Sequence, residues 1–485
     1  MCINMLHGET ERDETMTVRL ERRTDITLEA FERVAWQREQ VEVTPAAIAL
    51  MDRCHKSFDA LIADKLATDP DAQIYGITFG PGDAGAVDPA NDTRPTKLWT
   101  AASFGEPLPE RAVRGIVLAR LANFIEGHAA TRGLVATAIA AMLDPFIGIP
   151  VVPAQGTGGA GEILPLGHLF YNLSEKLTLE PKERMAVING SPCAAALVAD
   201  VALLARGRTA LAERVFALSI EALGSPLEAY SEDVDPLWGD EHESAALRSL
   251  RDLLVDHRPG RMARQSPVSH RILGRVLGRS RRAAADSEHA AAVSLASVTD
   301  NPVYIPPDAE RPLGAVFSTG GYHNAWAPAS MDGMASAWAD FCLLAQRHTD
   351  QLFQHPATAP LLAAHEFGFK PLHMVMNGWA DEARSLAQPS LISLGAFGQN
   401  DVPSQSFPAW RKATEIGHCL DASLAIVATL AAHALAAGGH PIPRGLRDVA
   451  EEVYKHVPAG REVRRRGPEL EGLTRAFAKR VCPAG

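Results

Sequence analysis

The stretch QGTGGAGEILPLGH, residues 155–168, carries four glycines in six positions (Gly156, Gly158, Gly159, Gly161) and then runs into apolar residues at helical spacing. Glycine at that density opens backbone shapes closed to other residues. Upstream, FIGIPVVPAQGTGGAG (146–161) reads as loop with short extended pieces. Taken alone, the segment is a glycine-rich connector that lets backbone pack closely. Its surroundings decide what it connects.

Those surroundings are helical. Ala, Leu, Arg and Glu dominate and strand-like alternation is scarce. One helix is expected from Pro45 to roughly Leu66, and a second from Pro109 to Arg132, stopped by Gly133 as its C′ residue. In VINGSPCAAALVADVALLAR, Ser191 reads as an N-cap and Pro192 as the first helical position. Long helices are expected within 199–226, 284–299, 326–353 and 409–437. The fold class is therefore mainly α. A flexible tail (1–20) precedes an N-terminal loop-rich mixed region (21–198), a central helical bundle (199–440) and a C-terminal helical cap (441–485). REVRRRGPELEG (461–472) reads as a solvated segment.

The chain has 485 residues, 46% hydrophobic and 22% charged, as in an ordinary globular protein. Its net charge of -11 argues against a nucleic-acid or membrane-surface partner. Cys2, Cys54, Cys193, Cys342, Cys419 and Cys482 form no C-x-x-C pair, so a reduced, cytoplasmic protein is expected. The charged start has no apolar stretch of signal length, and Met16 is an alternative start. The apolar run Leu424 to Ala437 is short of the ~20 residues that span a bilayer, and reads as a buried helix. None of the 17 His stands in metal-ligand spacing, so no metal is expected. GTGGAG lacks the leading strand and acidic partner of a dinucleotide fingerprint.

Seven stretches stand in order: YGITFGPG (75–82), GTGGAGEILPL (156–166), INGSP (188–192), QSPVSHRILGRVLG (265–278), VTDNPV (298–303), STGGYHN (318–324) and GQNDVPS (398–404). Their order and spacing resemble the histidine and phenylalanine ammonia-lyase family, which also includes tyrosine ammonia-lyases and aromatic aminomutases, over roughly residues 45 to 440. The resemblance implies a helical ammonia-lyase architecture and a homotetramer whose active sites draw on three subunits. It also implies an amino-acid-derived small-molecule substrate.

In that family an Ala-Ser-Gly tripeptide cyclises to methylidene-imidazolone (MIO), an electrophile whose alkene carbon comes from the serine side chain. The matching place here reads Gly159-Ala160-Gly161-Glu162, one residue short. Glycine has no β-carbon from which a methylidene can form. The cofactor is therefore expected to be absent. The triplet Gly156-Thr157-Gly158 is the remaining alternative for a ring.

The resemblance assigns roles residue by residue. Tyr75 matches the base that takes a proton from the substrate's β-carbon, although a tyrosine before a glycine, read alone, is a packing residue. Arg271 matches the carboxylate-binding arginine, a role that suits a planar guanidinium; as one of several arginines on a basic helix it also reads as a surface residue. Asn189 matches the residue that reaches the prosthetic group, or else is a turn residue. Gln265 and Asn400 are amide donors of the pocket, or satisfied core amides. Tyr322 stands where the family usually has phenylalanine. The family's SHA motif reads Ser103-Phe104-Gly105, which puts Phe104 in the pocket wall, and Val268 replaces a tyrosine three residues before Arg271.

The expected function is thus an MIO-less enzyme with a tyrosine base, carrying out elimination, conjugate addition or cyclisation on an activated, amino-acid-derived substrate in biosynthesis. The alternative is a catalytically inactive ligand-binding or structural subunit. A third reading is an ordinary aromatic amino acid ammonia-lyase built on the Thr157 triplet.

Overall fold

The computed structural model describes residues 17–79, 97–262, 265–356, 358–364, 368–396, 398–458 and 464–482. The protein is 63% helix and 4% strand, the mainly-α fold expected. Among the described residues thirteen helices have eight residues or more. They are α1 (Pro45–Thr68), α2 (Glu110–Leu121), α3 (Gly133–Ala141), α4 (Ile163–Lys176), α5 (Pro181–Ile188), α6 (Pro192–Leu223), α7 (Glu241–Leu253), α8 (Leu273–Leu295), α9 (Trp326–Gln354), α10 (Leu372–Leu386), α11 (Ser406–Ala437), α12 (Arg447–His456) and α13 (Arg466–Val481). Two small sheets accompany them. β1 (Thr17–Leu20) pairs in parallel with β2 (Gln40–Val43), and β3 (Val303–Ile305) pairs antiparallel with β4 (Ala315–Phe317).

Local signals explain most boundaries. Thr44 caps α1 by accepting the Ala47 N–H, and Pro45 takes the first helical position. The expected helix from Pro109 to Arg132 stops early, at Leu121, and turns carry the chain on to Arg132. Gly127 and Ala130 adopt left-handed φ values of 79° and 51° along that stretch. Gly133, expected to end a helix, begins α3, because Asp52 Oδ1 accepts its N–H at 2.8 Å from across the fold. The expected tail is also shorter: residues 1–16 lie outside the described residues, and 17–20 form β1.

Helices α6, α8, α9 and α11 lie side by side as the central bundle. α6 is buried nearly all round, so its charged residues must be paired. Asp200 receives Arg111 Nε at 2.8 Å and the indole N–H groups of Trp36 (3.1 Å) and Trp410 (3.2 Å). Arg208 grips Asp421 of α11 with two hydrogen bonds, at 3.0 and 2.8 Å, while its guanidinium lies over the Trp338 ring of α9. Gly417 makes room for that guanidinium, since a Cβ there would strike it. α8 begins eleven residues before the expected start at 284. Its first turns carry Arg275 and Arg281, paired with Glu243 and Glu213 of neighbouring helices, and this charge hides the helix from a hydrophobic reading.

Two stretches, Pro181–Leu223 and Ser406–Ala437, are long and apolar enough to cross a membrane by length and composition; the second extends the apolar run Leu424 to Ala437 toward its N-terminus. The most apolar part of each is almost wholly buried within the protein, as in the core helices of a bundle. The segment 461–472 is not solvated throughout. Residues 461–463 lie outside the described residues, and Arg466 opens α13 with its side chain buried on the Phe369 ring and bonded to Glu469 at 2.6 Å.

Candidate active site

Four connections and the end of α5 converge on a cavity of about 370 Å³, lined by Tyr75, Ala160, Gly161, Asn189, Tyr322 and Asn400. Residues from five stretches far apart in sequence thus line one cavity, as the family resemblance implies.

Each is held by its own local chemistry. Tyr75 sits in a tight turn closed by Gly76 N–H to Phe79 O (2.7 Å), with the Thr78 hydroxyl bridging Ala72 O and Ile74 N–H. Gly76 packs against Met185 and Pro302, which sets the turn on α5. Asn189 is the link between α5 and α6. Its amide donates to Asn301 O at 2.9 Å, and its own carbonyl accepts Arg120 Nη1 at 2.6 Å. Asn301 Oδ1 in turn accepts the Thr319 N–H at 2.8 Å, which ties down the strand of chain that leads to Tyr322. Asn400 ends a short turn whose backbone oxygen accepts the Ala396 N–H at 2.7 Å.

The glycine loop is shaped by its conformations. Gly159 and Gly161 have φ of 100° and 65°, a region where an L side chain is strained. A Cβ on Gly161 would lie closer than 3.0 Å to Asn189 Oδ1. Glu162 follows, itself left-handed at φ 55°, and its carboxylate accepts the N–H groups of Cys193 (2.6 Å) and Ala194 (2.9 Å) at the start of α6. Glu162, not Ser191, therefore caps α6; Ser191 occupies the N-cap position without a side-chain capping bond.

Beneath the cavity floor lies a buried charge cluster that no motif signalled. Burial lifts the Glu162 carboxyl to about 7, against the two N–H bonds and Arg120. Burial lowers the Arg120 guanidinium to about 10, opposed by Asp300 and Glu162. Lys182 Nζ meets Asp300 Oδ2 at 2.6 Å, both buried. The cluster fixes the Asn189 backbone from below.

Other expected residues lie outside this cavity. Phe104, expected in the pocket wall, is 85% exposed and does not line this cavity within one chain. Ser103 turns its hydroxyl to Gly156 O at 2.7 Å, and Trp99 and Thr100 line the wall instead. Arg271 and Val268 lie on a short helix (Val268–Arg271) and Gln265 just ahead of it. Val268 and Gln265 are exposed, and Arg271 Nε bonds to Ser266 O at 3.0 Å. Within one chain these three do not reach Tyr75's cavity. Gly159 and the Thr157 triplet face a second cavity of about 560 Å³ behind the loop. The sequence reading also missed Lys97 and Arg184, which line the first cavity. Arg184 was findable, because Pro181, Arg184, Met185 and Ile188 form one stripe of α5 at helical spacing.

This architecture has known counterparts. The model of the aromatic amino acid lyase family matches residues 26–176 and 172–458. Histidine ammonia-lyase of Deinococcus radiodurans is 27% identical over 92% of this chain and 91% of its own length. That of Symbiobacterium thermophilum is 29% identical over 84% and 86%. Among solved structures, tyrosine aminomutase from Streptomyces globisporus superposes with a TM-score of 0.83 at 21% identity, over 97% of this chain and 98% of its own. Ergothionase from Treponema denticola superposes with a TM-score of 0.85 at 19% identity, over 96% and 99%. With the model matching most of its length, and these relatives along nearly all of it, the chain belongs to the aromatic amino acid lyase family.

Proposed function

We propose that the protein is an MIO-independent lyase-type enzyme that uses Tyr75 as general base on an activated, amino-acid-derived substrate. One observation carries the reading: the family's base and amides ring one cavity, while the residue facing them at 161 has no β-carbon and the Asn189 amide stands in the space one would need. The residues present do not fit MIO, so no step runs through it.

Chemistry in the cavity is then proton transfer. A phenol ordinarily titrates near ~10, so Tyr75 needs a nearby cation or donors to act as a base at neutral pH. The substrate carbon must be acidified by a neighbouring carbonyl or carboxylate, or carry a leaving group better than a plain amine. The amide of Asn400, with backbone N–H groups of the 156–161 loop, would steady the developing enolate. Arg271, Gln265 and Val268 enter from a neighbouring copy in a cytoplasmic homotetramer, with Arg271 on the substrate carboxylate. Elimination, conjugate addition and cyclisation all fit such a site, and a biosynthetic step is its natural setting. Ergothionase, whose fold is shared, is an ergothioneine-degrading enzyme.

The Tyr75→Phe variant tests the reading. Loss of biological output with an unchanged unfolding midpoint supports the base, and unchanged output supports a binding subunit. Brisk ammonium release from free phenylalanine, tyrosine or histidine overturns MIO independence. So does an intact mass two waters below the sequence mass, the mark of a ring at the Thr157 triplet.

A further inference from the structure

The second cavity, behind the glycine loop, gathers hydrogen-bond donors that the chain itself does not use. Gly156, Thr157, Gly158 and Gly159 all border it. Their four N–H groups donate to no other group among the described residues. Gly156 is left-handed at φ 62°, a conformation from which backbone anion nests are built. A Cβ at Gly158 or Gly159 would meet nothing within 4 Å, so the loop has open space at its side. Ala160 and Gly161, the rest of the loop, line the Tyr75 cavity instead.

Arg411, in the second turn of α11, borders the same second cavity. Its Nε is buried without a hydrogen bond. Three other arginines keep a buried nitrogen unbonded, but each has compensation. Arg120 donates to Asn189 O, Arg208 is paired with Asp421, and Glu221 stands beside Arg258. Arg411 makes no ion pair or side-chain hydrogen bond with any described residue. Its neighbour Lys412 is paired with Asp332 at 2.9 Å. Glu415, one turn further on, is exposed and forms no ion pair with Arg411. Among the described residues no carboxylate lines the cavity. A partly buried guanidinium in this state costs free energy until an anion completes it.

We infer that the second cavity is an oxyanion site, in which a phosphate group lies between the Arg411 guanidinium and the N–H groups of residues 156–159. Phosphate suits this donor set better than a carboxylate does. A planar guanidinium takes two oxygens, and a phosphate keeps others for the backbone N–H groups. Inorganic phosphate and the phosphate of a small organic molecule share this chemistry. The volume of about 560 Å³ and the apolar wall of Leu164, Leu394 and Pro403 leave room for an organic part. Ile163 and Asn400 belong to both cavities, so an anion here clamps the loop from the side away from Tyr75. The site does not depend on the reading of Tyr75 as a base.

Calorimetry on the full-length protein tests this with inorganic phosphate and phenyl phosphate, against chloride at matched ionic strength. At least one of the two is expected to bind with a Kd below about 1 mM. Tighter binding of phenyl phosphate assigns the site to organic phosphates, and equal or weaker binding assigns it to the free ion. Arg411→Gln should weaken binding about tenfold, and Arg411→Lys less. Amide hydrogen exchange reads the loop itself. Exchange in 156–159 should slow on adding phosphate, in the unaltered protein and in Tyr75→Phe alike, but not in Arg411→Gln. Binding of both probes weaker than about 1 mM overturns the site. So does binding that is unchanged in Arg411→Gln, or exchange in 156–159 that bound phosphate does not slow. The exchange measurement on unaltered protein stands even if Arg411→Gln fails to fold. A carboxylate from a second copy of the chain seated on Arg411 would appear as absent phosphate binding with a smaller oligomer in Arg411→Gln, and would equally overturn it.

Discussion

The side-chain oxygen of Asn189 stands where a β-carbon on residue 161 would be built. Two facts about position 161 thus agree. Its φ of 65° suits glycine, and the space beside it is filled by an amide anchored on Asn301. The anchor is itself braced by Arg120 on the Asn189 carbonyl.

Gly161→Ala should therefore destabilise the protein by about 2 kcal/mol, from backbone strain and displacement of Asn189. Urea unfolding measures this. Adding Asn189→Gly should recover about 1 kcal/mol in a double-mutant cycle. Strict additivity would mean that the two residues do not compete for the same space.

Glu162 should make stability fall with rising pH. Its carboxyl is lifted from 4.5 to about 7 by burial, so the folded protein binds the proton more tightly than the unfolded chain. The contribution is whole below pH 4.5 and is lost as pH rises through about 7, roughly 3 kcal/mol in all. Urea midpoints across that window should decline in the unaltered protein and level out in Glu162→Gln. The same slope in both would show that Glu162 is already ionised.

The stacked pair His270 and His348 should drive acid unfolding. Their ring centroids lie 4.3 Å apart, and His348 Nε2 donates to Ser269 O (3.2 Å) while Nδ1 accepts from the Ser219 hydroxyl (3.0 Å). That arrangement fixes a neutral ring, and burial lowers His348 from 6.5 to about 4. Its stability contribution is present above pH 6.5 and disappears as pH falls through about 4. In the Glu162→Gln background, where the opposing slope is gone, the acid limb should be visible. His348→Gln should flatten it and lower the unfolding free energy at pH 8 by about 1–3 kcal/mol through lost packing and hydrogen bonds.

Breaking the pair between α6 and α11 should cost more than removing it. Asp421→Ala leaves Arg208 buried and charged, and should cost about 4 kcal/mol. Arg208→Met with Asp421→Leu should cost less than half of that in thermal or urea unfolding. An equal loss would assign the effect to packing against Trp338 alone.

The parts of the fold carried by apolar periodicity were legible. α9 was expected at 326–353 and is Trp326–Gln354, and α11 differs only at its start. Helix breaks set by distant partners were not. Nothing near Gly133 in sequence announces that Asp52 will cap it. The site divides the same way. Residues in motifs, such as Tyr75, Asn189 and Tyr322, line one cavity, a grouping that the family resemblance implied. Glu162 and Arg120 act only through three-dimensional neighbours, and a buried ion looks like a surface one in a sequence. Phe104 lies outside the cavity of its own chain, next to Ser103, whose hydroxyl bonds to Gly156 O.

The 156–163 segment separates two hollows, and Ile163 and Asn400 belong to both. It behaves as a partition one chain thick, pinned at Gly156 by Ser103, at Gly159 by Ser404 and at Gly161 by Gly190. Backbone contacts at three points hold the partition in place. Under the proposed function it therefore keeps the two hollows apart without any reactive group of its own.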